Sequence, residues 1–300
     1  MMKITEITKD LCQANYKSRK ESGHKGNFGK VLVMAGSDIY PGAGIMAAMG
    51  ALRSGVGIVT LALPDVLKGA LPFYLSPEII LRYFPSEKGG FSFSLSQAVG
   101  LCSNYDAILV GCGWGKSQSR LECLKNISQA CETSLIFDAD ALNLIAENNA
   151  YEILDDCNAK TIVTPHIGEF TRLLKLSFLE VEIENRLELA RNFAQKHNTI
   201  VVQKSASTIV TDSKEHFICN QPNSGLAKGG SGDLLAGLIA GLVASNQCKS
   251  NLYAANLGVF LHSQAGLEAK KLYTECGMRI ADVEKQIPTA WKEILETESQ

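Results

Sequence analysis

Short apolar runs alternate with helix-length segments along most of this chain. Val31–Ala35 and Gly57–Leu63 predict two strands, the second ended by Pro64. The apolar small-residue segment between them, Ala43–Ser54, predicts a tightly packed helix. Four further strand-like runs follow at intervals that leave room for helices: Ile108–Val110, Leu135–Asp138, Thr161–Val163 and Ile200–Gln203. This alternation predicts an α/β fold in which helices flank a central, mostly parallel sheet on both faces.

The other segments predict further helices and one hairpin. Helical patterns lie at Ser119–Cys131, Ala141–Asn148, Glu169–Leu174, Glu182–His197, Leu234–Ala244, Leu252–Leu272 and Asp282–Leu295. Ile209–Thr211 and His216–Ile218 predict the two arms of a hairpin. Residues 1–22 predict a polar helical lead-in. Because no linker, low-complexity run or internal repeat interrupts the chain, we expect one domain over residues 1–300.

Composition narrows the class of protein. The 300 residues carry a formal net charge of −2, which gives no basic surface for nucleic acid or an anionic membrane. Nine cysteines without CxxC spacing argue against a disulfide framework or a structural zinc site. The N-terminus is too polar for a signal peptide, and no apolar run approaches the ~18 residues of a membrane span. We therefore expect a cytoplasmic protein with neither nucleic acid nor membrane as partner.

Glycine-rich and charged clusters follow several of the predicted strands. They are Gly36–Ser37, Gly111–Gly115, Asp138–Asp140, Thr164–Glu169, Lys204 and Gly229–Asp233. In parallel α/β sheets, ligands bind outside the carboxyl ends of the strands. Their shared placement is better evidence for a site than any single motif, and we expect them to meet at one edge of the sheet.

The most informative cluster is the turn Gly229–Asp233, which opens an apolar helix. Backbone N–H groups in such a turn can form an anion nest, and the helix N-terminus adds positive dipole character. Asp233 would repel a bound phosphate, but it makes sense as a base that takes a proton from an attacking hydroxyl. The alternative is an ordinary helix start in which Ser231 or Asp233 is the N-cap.

The strand-end carboxylates and glycines have two interpretations each. Gly111–Ser117 resembles a phosphate-binding P-loop but is one residue too short, so a strand-end turn lining a ligand fits better, with Gly111 and Gly113 permitting close approach. Asp138 and Asp140 could order Mg²⁺ through water or cap the next helix. We assign the cap to Asp140 and keep Asp138 as a functional candidate.

Basic residues and histidines supply further candidates. His166 is displayed at a strand end, where Glu169 could act on a metal or cap the helix that follows. Lys204 could reach a nucleotide phosphate, although it could also be a surface lysine. The loop with His24, Lys25 and Lys30 could reach an anion or be a solvated loop. The histidines without sequence partners are interpreted as structural: His197, His216 and His262.

The ordered series of motifs resembles the ADP/ATP-dependent NAD(P)H-hydrate dehydratase family of the ribokinase-like superfamily, over roughly residues 20–290. The series comprises Lys25–Ser37, Gly42–Gly44, Ala51–Gly57, Asp138–Asn143, Thr164–Glu169 and Gly229–Asp233. The resemblance implies a sheet of about eight or more strands. Two positions depart from the family pattern: Ser205 replaces a frequent glycine, and Cys112 replaces a proline.

The resemblance also implies a reaction. The S-epimer of hydrated NADH or NADPH would be phosphorylated by ADP or ATP with Mg²⁺, then lose phosphate to restore the dihydronicotinamide, leaving AMP or ADP. Asp233 would be the catalytic base. The contacts to hydrated dinucleotide would be Ala43, Gly113, His166 and Asp233. The nucleotide-binding set would be Lys204, Ser205, Ala206, Ser207, Thr208, Gly229, Gly230, Ser231 and Gly232, and no protein metal ligand is assigned.

The family resemblance also predicts partners and leaves competing functions open. Relatives often carry an epimerase domain first, but only about twenty residues precede this domain, too few for a domain, so we expect a separate epimerase. The resemblance implies a homo-oligomer, with a tetramer as the form to test, and favours ADP over ATP. Two alternatives stay open: a ribokinase-like kinase of a hydroxymethyl-pyrimidine, thiazole or sugar, and a non-catalytic nucleotide-binding module.

Overall fold

A single sheet of ten strands runs through the computed structural model, which describes residues 3–70, 75–178, 181 and 185–296. The strands are β1 (Thr5–Glu6), β2 (Lys30–Met34), β3 (Ile58–Pro64), β4 (Ile80–Phe84), β7 (Ala107–Val110), β8 (Ser134–Phe137), β9 (Lys160–Val163), β10 (Thr199–Gln203), β11 (Thr208–Thr211) and β12 (His216–Cys219). A separate two-stranded ribbon joins β5 (Ser86–Glu87) to β6 (Gly90–Phe91).

The helices lie between and after these strands. They are α1 (Lys9–Ala14), α2 (Pro41–Arg53), α3 (Leu95–Cys102), α4 (Gln118–Ala130), α5 (Asp140–Asn148), α6 (Glu152–Asp155), α7 (Ile167–Leu174), α8 (Arg186–Lys196), α9 (Ser231–Ser245), α10 (Asn251–Gly277) and α11 (Ile280–Leu295). Among the helices described, none is both long enough and apolar enough to cross a membrane.

The strand order fixes which loops share an edge. It is β1-β12-β11-β10-β9-β8-β7-β2-β3-β4, and only β11 runs antiparallel to its neighbours. The mostly parallel sheet is therefore confirmed, as is the β11–β12 hairpin. Because β10, β9, β8, β7 and β2 are parallel neighbours, their carboxyl ends meet at one edge, where ligands bind in sheets of this kind.

Each face of the sheet has its own apolar core. Side chains of α2, α9, α10 and α11 pack on one face, with Leu61, Leu109 and Ile136 from the strands. Side chains of α3 to α8 pack on the other, with Leu32, Ile108 and Phe137. Successive strand residues point to opposite faces, so near-continuous apolar runs serve both cores.

The helix that carries Asp233 lies unusually close to α2. A Cβ atom on Gly237 of α9 would lie 1.9 Å from the carbonyl oxygen of Ala47, and one on Gly50 of α2 would lie 2.2 Å from the oxygen of Leu234. Only glycine permits this approach. Close packing of α9 on α2 holds the N-terminus of α9, and so Asp233, at the ligand-binding edge of the sheet.

The N-terminal segment differs from the predicted helical lead-in over residues 1–22. Thr5–Glu6 forms the edge strand β1, which pairs in parallel with β12, and among residues 3–22 the helix is Lys9–Ala14. The pattern also missed β4, whose alternating exposure reflects its place at the opposite sheet edge. The predicted helix Glu182–His197 begins at Arg186 in the described residues, and positions 182–184 lie outside them.

The loop around Lys25 and Lys30 lies away from the ligand-binding edge. A Cβ on Gly29 would lie 1.9 Å from the oxygen of Ala244, near the C-terminal end of α9, and one on Gly57 would lie 1.8 Å from the oxygen of Lys25. Asp233 is in the first turn of the same α9, so the loop and the site lie at opposite ends of a helix about 22 Å long. Of the two interpretations of this loop, its position does not fit the one in which it reaches an anionic ligand at this site.

Candidate active site

Two cavities open at the carboxyl edge of the sheet, one on each side of the glycine turn that begins α9. Gly229 lines both cavities. The first has a volume of about 560 Å³, and the second has a volume of about 740 Å³. The turn therefore separates two volumes of the size that small ligands occupy.

The first cavity contains three of the four residues that the family resemblance assigns to the hydrated dinucleotide. Its lining residues are Ile39, Tyr40, Pro41, Gly42, Ala43, Met46, Gly113, Asp140, Gly229, Gly230 and Asp233. Gly113 has a φ of 63°, and a Cβ there would lie 2.6 Å from that of Ala43. The backbone at Gly113 is therefore available to a ligand because the residue is glycine.

The second cavity contains most of the predicted nucleotide-binding set. Lys204, Ser205, Ala206, Thr208, Ser231 and Gly232 line it. Ser207 is not among its lining residues, and its hydroxyl donates to Asn220 Oδ1 at 2.7 Å. His166, predicted on the dinucleotide side, lines this second cavity instead.

Charge is distributed unequally between the two cavities. The charged groups that line the first are the carboxyls of Asp140 and Asp233, and no lysine, arginine or histidine is among its described lining residues. The second is lined by Lys204 and Lys228 with two histidines, and no carboxylate is among its described lining residues. Phosphate groups are therefore favoured in the second cavity, and uncharged hydrogen-bond donors in the first.

Asp233 lies in a cluster with Asp138 and Cys112, in which one ligand atom from each lies within 4.8 Å of the others. Burial, reinforced by the nearby charge of Asp138, raises the pKa of Asp233 to about 6, although Lys204 opposes the rise. Burial also raises the pKa of the Cys112 thiol, and the charge of Asp138 adds to that effect. A carboxyl with a pKa near neutrality is well placed to accept a proton.

Lys204 connects the nucleotide side to this cluster. Its ammonium donates to Asp138 Oδ1 at 2.6 Å, and Thr164 Oγ1 donates to the same oxygen at 2.7 Å. A Cβ on Gly232 would lie 3.0 Å from Lys204 Nζ. Burial lowers the pKa of Lys204, but the charges of Asp138 and Glu169 outweigh it and raise the pKa overall. A charged ammonium therefore stands beside the glycine turn.

No side chain caps the N-terminus of α9 at the glycine turn. Gly230, at φ 92°, is the N-cap of α9 and makes no side-chain capping bond, while Ser231 is the first helical residue. The alternative that Ser231 or Asp233 is the N-cap is therefore wrong. The first N–H groups of a helix have no partner within it, so this turn offers donors to an anion.

The preceding residue, Lys228, anchors the turn. Its ammonium donates to the carbonyl oxygens of Glu275 at 3.0 Å and Cys276 at 3.1 Å, and also to that of Met278. These carbonyls lie at the end of α10, where Thr274 leaves helical geometry. The anchor limits movement of the glycine turn relative to α10.

Asp140 does not cap α5 as predicted. Ala139 is the N-cap and makes no side-chain bond, and Asp140 is the first residue of the helix. Its Oδ2 accepts the N–H of Gly115 at 2.8 Å, and its Oδ1 accepts Asn143 Nδ2 at 3.3 Å. The side chain therefore holds the Gly111–Gly115 turn and lines the first cavity.

His166 and Glu169 form a capping box at the start of α7. Glu169 Oε2 accepts the His166 N–H at 2.8 Å, and His166 Nδ1 accepts the Gly168 N–H at 3.0 Å. Of the two predicted roles for Glu169, this geometry shows the cap. Burial, with Lys204 and Arg172 nearby, lowers the pKa of His166 and favours its neutral form.

One histidine interpreted as purely structural lies at the site. His262 of α10 lines the second cavity, with Nε2 at 3.3 Å from Ser231 Oγ. Burial and the charge of Lys204 lower its pKa to about 4, so it is neutral near pH 7. No sequence signal marked it, because residues 254–263 of its helix are all buried and show no polar face that would point to a site. His197 and His216 instead pair with Asp155 and Thr211, away from both cavities.

The two departures from the family pattern are accommodated locally. Ser205 is not among the described non-glycine residues with positive φ, so its position does not require glycine. Its hydroxyl accepts from the buried Arg186 and donates to the Ser207 carbonyl at 2.7 Å. The Cys112 thiol lies 3.6 Å from Asp138 Oδ2, where it can donate a weak hydrogen bond.

Comparison with known proteins agrees with the geometry. A family model described as NAD(P)H-hydrate dehydratase matches residues 31–289. A bifunctional NAD(P)H-hydrate repair enzyme from Moorella thermoacetica is 32% identical over 285 residues, which cover 94% of this chain and 53% of that protein. The chain spans about half the length of the curated relatives it matches.

Solved structures show the same fold. The ADP/ATP-dependent NAD(P)H-hydrate dehydratase from Bacillus subtilis, co-crystallised with ATP and Mg²⁺, is 25% identical with a TM-score of 0.81, covering 98% of this chain and 100% of that one. A ribokinase-like superfamily protein from Enterococcus faecalis V583 is 27% identical with a TM-score of 0.80, covering 97% and 96%. The predicted ribokinase-like fold is confirmed.

Proposed function

This chain belongs to the NAD(P)H-hydrate dehydratase family, and we propose that it uses ADP or ATP to dehydrate the S-epimer of hydrated NADH and NADPH. The observation that carries the proposal is Asp233, a carboxyl with a pKa of about 6 at the boundary between an anionic and a cationic cavity. The products are NADH or NADPH, inorganic phosphate, and AMP or ADP.

The charge distribution supports a different ligand for each cavity. Lys204 suits the polyphosphate of ADP or ATP in the second cavity, which Ser205, Ala206, Thr208 and Gly232 also line. The three donors of the Lys228 ammonium are taken by carbonyl oxygens, so Lys228 contributes positive charge to this cavity and holds the turn. The hydrated nicotinamide ring carries no phosphate of its own, so it suits the first cavity beside Ala43 and Gly113. Asp233 then faces the C6 hydroxyl of that ring.

The reaction needs a leaving group because hydroxide leaves a carbon atom poorly. Asp233 takes the proton of the C6 hydroxyl while that oxygen attacks the terminal phosphorus of the nucleotide. The bond from phosphorus to the bridging oxygen breaks, which gives a C6 phosphoester and AMP or ADP. The ring-nitrogen lone pair then expels phosphate, and loss of a proton from C5 restores the dihydronicotinamide ring. Atoms and charge balance without an oxidant or reductant.

Charge on the transferred phosphoryl group is stabilised from the second cavity. The N–H groups of Gly229, Gly230 and Gly232 and the ammonium of Lys204 supply positive partial and full charge at the turn. Because Asp138 also holds Lys204, the ammonium keeps its position when no nucleotide is bound.

The residues of this site fit Mg²⁺ that binds together with the nucleotide. The cluster that could hold a metal contains the Cys112 thiol, and Lys204 already occupies one oxygen of Asp138. Mg²⁺ prefers oxygen ligands and usually takes several from substrate phosphates and water. We infer that the phosphates would hold it, with a carboxylate oxygen of Asp138 joining through water, and that it would neutralise phosphate charge.

Several features of the whole protein remain predictions. The curated relatives are described as bifunctional, and we propose that an epimerase activity supplies the S-epimer. A homo-oligomer, tetrameric by the family resemblance, and a cytoplasmic location are proposed on the same basis. Preference for ADP over ATP is proposed from the family resemblance as well.

Turnover by an Asp233→Asn variant tests the base assignment. The variant and the wild type are incubated with hydrated NADH, Mg²⁺, and ADP or ATP, and recovery of dihydronicotinamide absorbance is followed. We expect the variant to lose about 10²- to 10⁴-fold in kcat. Asp106→Asn is the matched control, since Asp106 Oδ2 accepts the N–H of Lys30 at the other edge of the sheet. Near wild-type turnover by Asp233→Asn would show that Asp233 is not the base.

A further inference from the structure

The first cavity contains a second carboxylate that the proposed chemistry does not use. Asp140 lines it together with Asp233. A carboxylate that faces a bound substrate favours a neutral hydrogen-bond donor of that substrate and repels an anionic group there. The question is which donor of the substrate lies there.

Asp140 is held in place and still has acceptor capacity. The Gly115 N–H occupies Oδ2 and Asn143 Nδ2 occupies Oδ1. Asn143 is itself fixed, since its Oδ1 accepts Arg172 Nε at 2.9 Å. A carboxylate has about four lone-pair sites, so about two remain for a ligand.

The chemistry of the ring limits the candidates. Its C6 hydroxyl must face Asp233 in the proposed function, and its carboxamide is attached at C3, across the same ring. Both ends of one ring fit within the 560 Å³ cavity that both carboxyls line. The carboxamide NH₂ is a neutral donor, which is the type of group that a fixed carboxylate accepts.

We propose that Asp140 is a specificity-determining residue that accepts a hydrogen bond from the carboxamide NH₂ of the hydrated ring and excludes the deamidated, nicotinic acid form. This inference rests on the proposed function of the same site. The acid form would place a carboxylate against Asp140, and two like charges at close range repel strongly in a half-buried site.

The test compares two substrates in two proteins. Wild type and Asp140→Asn are assayed with hydrated NADH and with the hydrate of reduced nicotinic acid adenine dinucleotide, and kcat/KM is measured for each. The quotient of the two amide-to-acid ratios cancels the intrinsic reactivity of the substrates. We expect the amide-to-acid ratio of kcat/KM to be at least about tenfold lower in Asp140→Asn than in the wild type. The asparagine side chain no longer repels the carboxylate of the acid form and can donate a hydrogen bond to it.

Controls separate this role from simple support of the turn. Asn143→Ala removes one contact of Asp140 without removing its charge, so the amide-to-acid ratio should stay that of the wild type. The proposal is overturned if kcat/KM falls equally for both substrates in Asp140→Asn. It is also overturned if Asn143→Ala changes the amide-to-acid ratio as much as Asp140→Asn does. A ribose hydroxyl as the true donor would also leave the ratio unchanged. Absence of wild-type turnover with hydrated NADH would instead refute the proposed function.

Discussion

The pH dependence of turnover should move in opposite directions when the two charges beside Asp233 are removed. The charge of Asp138 raises the pKa of Asp233, and that of Lys204 lowers it. Asp138→Asn should therefore shift the acid limb of kcat/KM to lower pH, and Lys204→Met should shift it to higher pH. Both variants will also lose activity, so the midpoint of the limb is the quantity to compare.

The size of the Asp138 effect follows from the geometry. Ligand atoms of the cluster lie within 4.8 Å of one another. Coulomb's law with an effective dielectric constant of about 20 gives about 3.5 kcal/mol at that distance, or about 2.5 pKa units. Partial exposure of Asp233 reduces this figure, so we expect the Asp138→Asn midpoint to fall by about one to two pH units.

The wild-type midpoint fixes the scale of the experiment. With a pKa of about 6, Asp233 is about nine-tenths ionised at pH 7 and about one-tenth ionised at pH 5. Initial rates of absorbance recovery, measured from about pH 3 to about pH 8.5 at saturating nucleotide and Mg²⁺, define the acid limb for all three proteins. An unchanged midpoint in Asp138→Asn, or shifts of the same sign in both variants, would contradict the assignment of Asp233 as the titrating base.

Three further predictions concern stability and binding. Gly237→Ala should lower the free energy of unfolding by about 1–3 kcal/mol, because α9 and α2 must move apart to admit the methyl group. Gly100 of α3 has open space around it, so the control Gly100→Ala should raise the free energy of unfolding by about 0.5–1 kcal/mol. Thermal melts of the two variants measure both effects. Gly232→Ala, whose Cβ would lie 3.0 Å from Lys204 Nζ, should raise the nucleotide KM about tenfold with an unchanged melting temperature. The pKa of Glu169 is raised by burial from 4.5 to about 7. Between these two pH values the folded state therefore binds more protons than the unfolded state, and the free energy of unfolding should fall as pH rises from about 4.5 to about 7. Glu169→Gln should reduce this pH dependence.

The periodic patterns predicted the parallel core of the fold because its strands are continuous apolar runs. Such runs arise where both faces of a strand are buried, as in Ala107–Val110. The patterns failed at the sheet edges, where β1 has two residues and β4 alternates in exposure. Pairing with β12 stabilises β1, and no local pattern of residues 1–22 encodes a partner more than 200 positions away.

The site was predicted where chemistry follows directly from a strand end. Asp233, Lys204 and Gly113 all lie at such ends or at the glycine turn, and the order of the motifs was informative. His262 could not be predicted, because its place at the cavity depends on how α10 packs against α9. Asp140 was predicted to cap α5 but holds the Gly111–Gly115 turn, because its hydrogen-bond partner is set by a neighbouring turn. The predicted nucleotide contact of Ser207 stays a prediction.

Stoichiometry tests the central claim, that phosphorylation by this protein makes a leaving group and not a stable product. The wild type is incubated with a known amount of S-hydrated NADH, Mg²⁺, and ADP or ATP, and NADH, inorganic phosphate and nucleotide products are counted together. We predict one NADH restored and one phosphate released for each ADP converted to AMP, or ATP to ADP. Accumulation of a stable phosphoester with no recovery of NADH would identify a kinase and contradict the account.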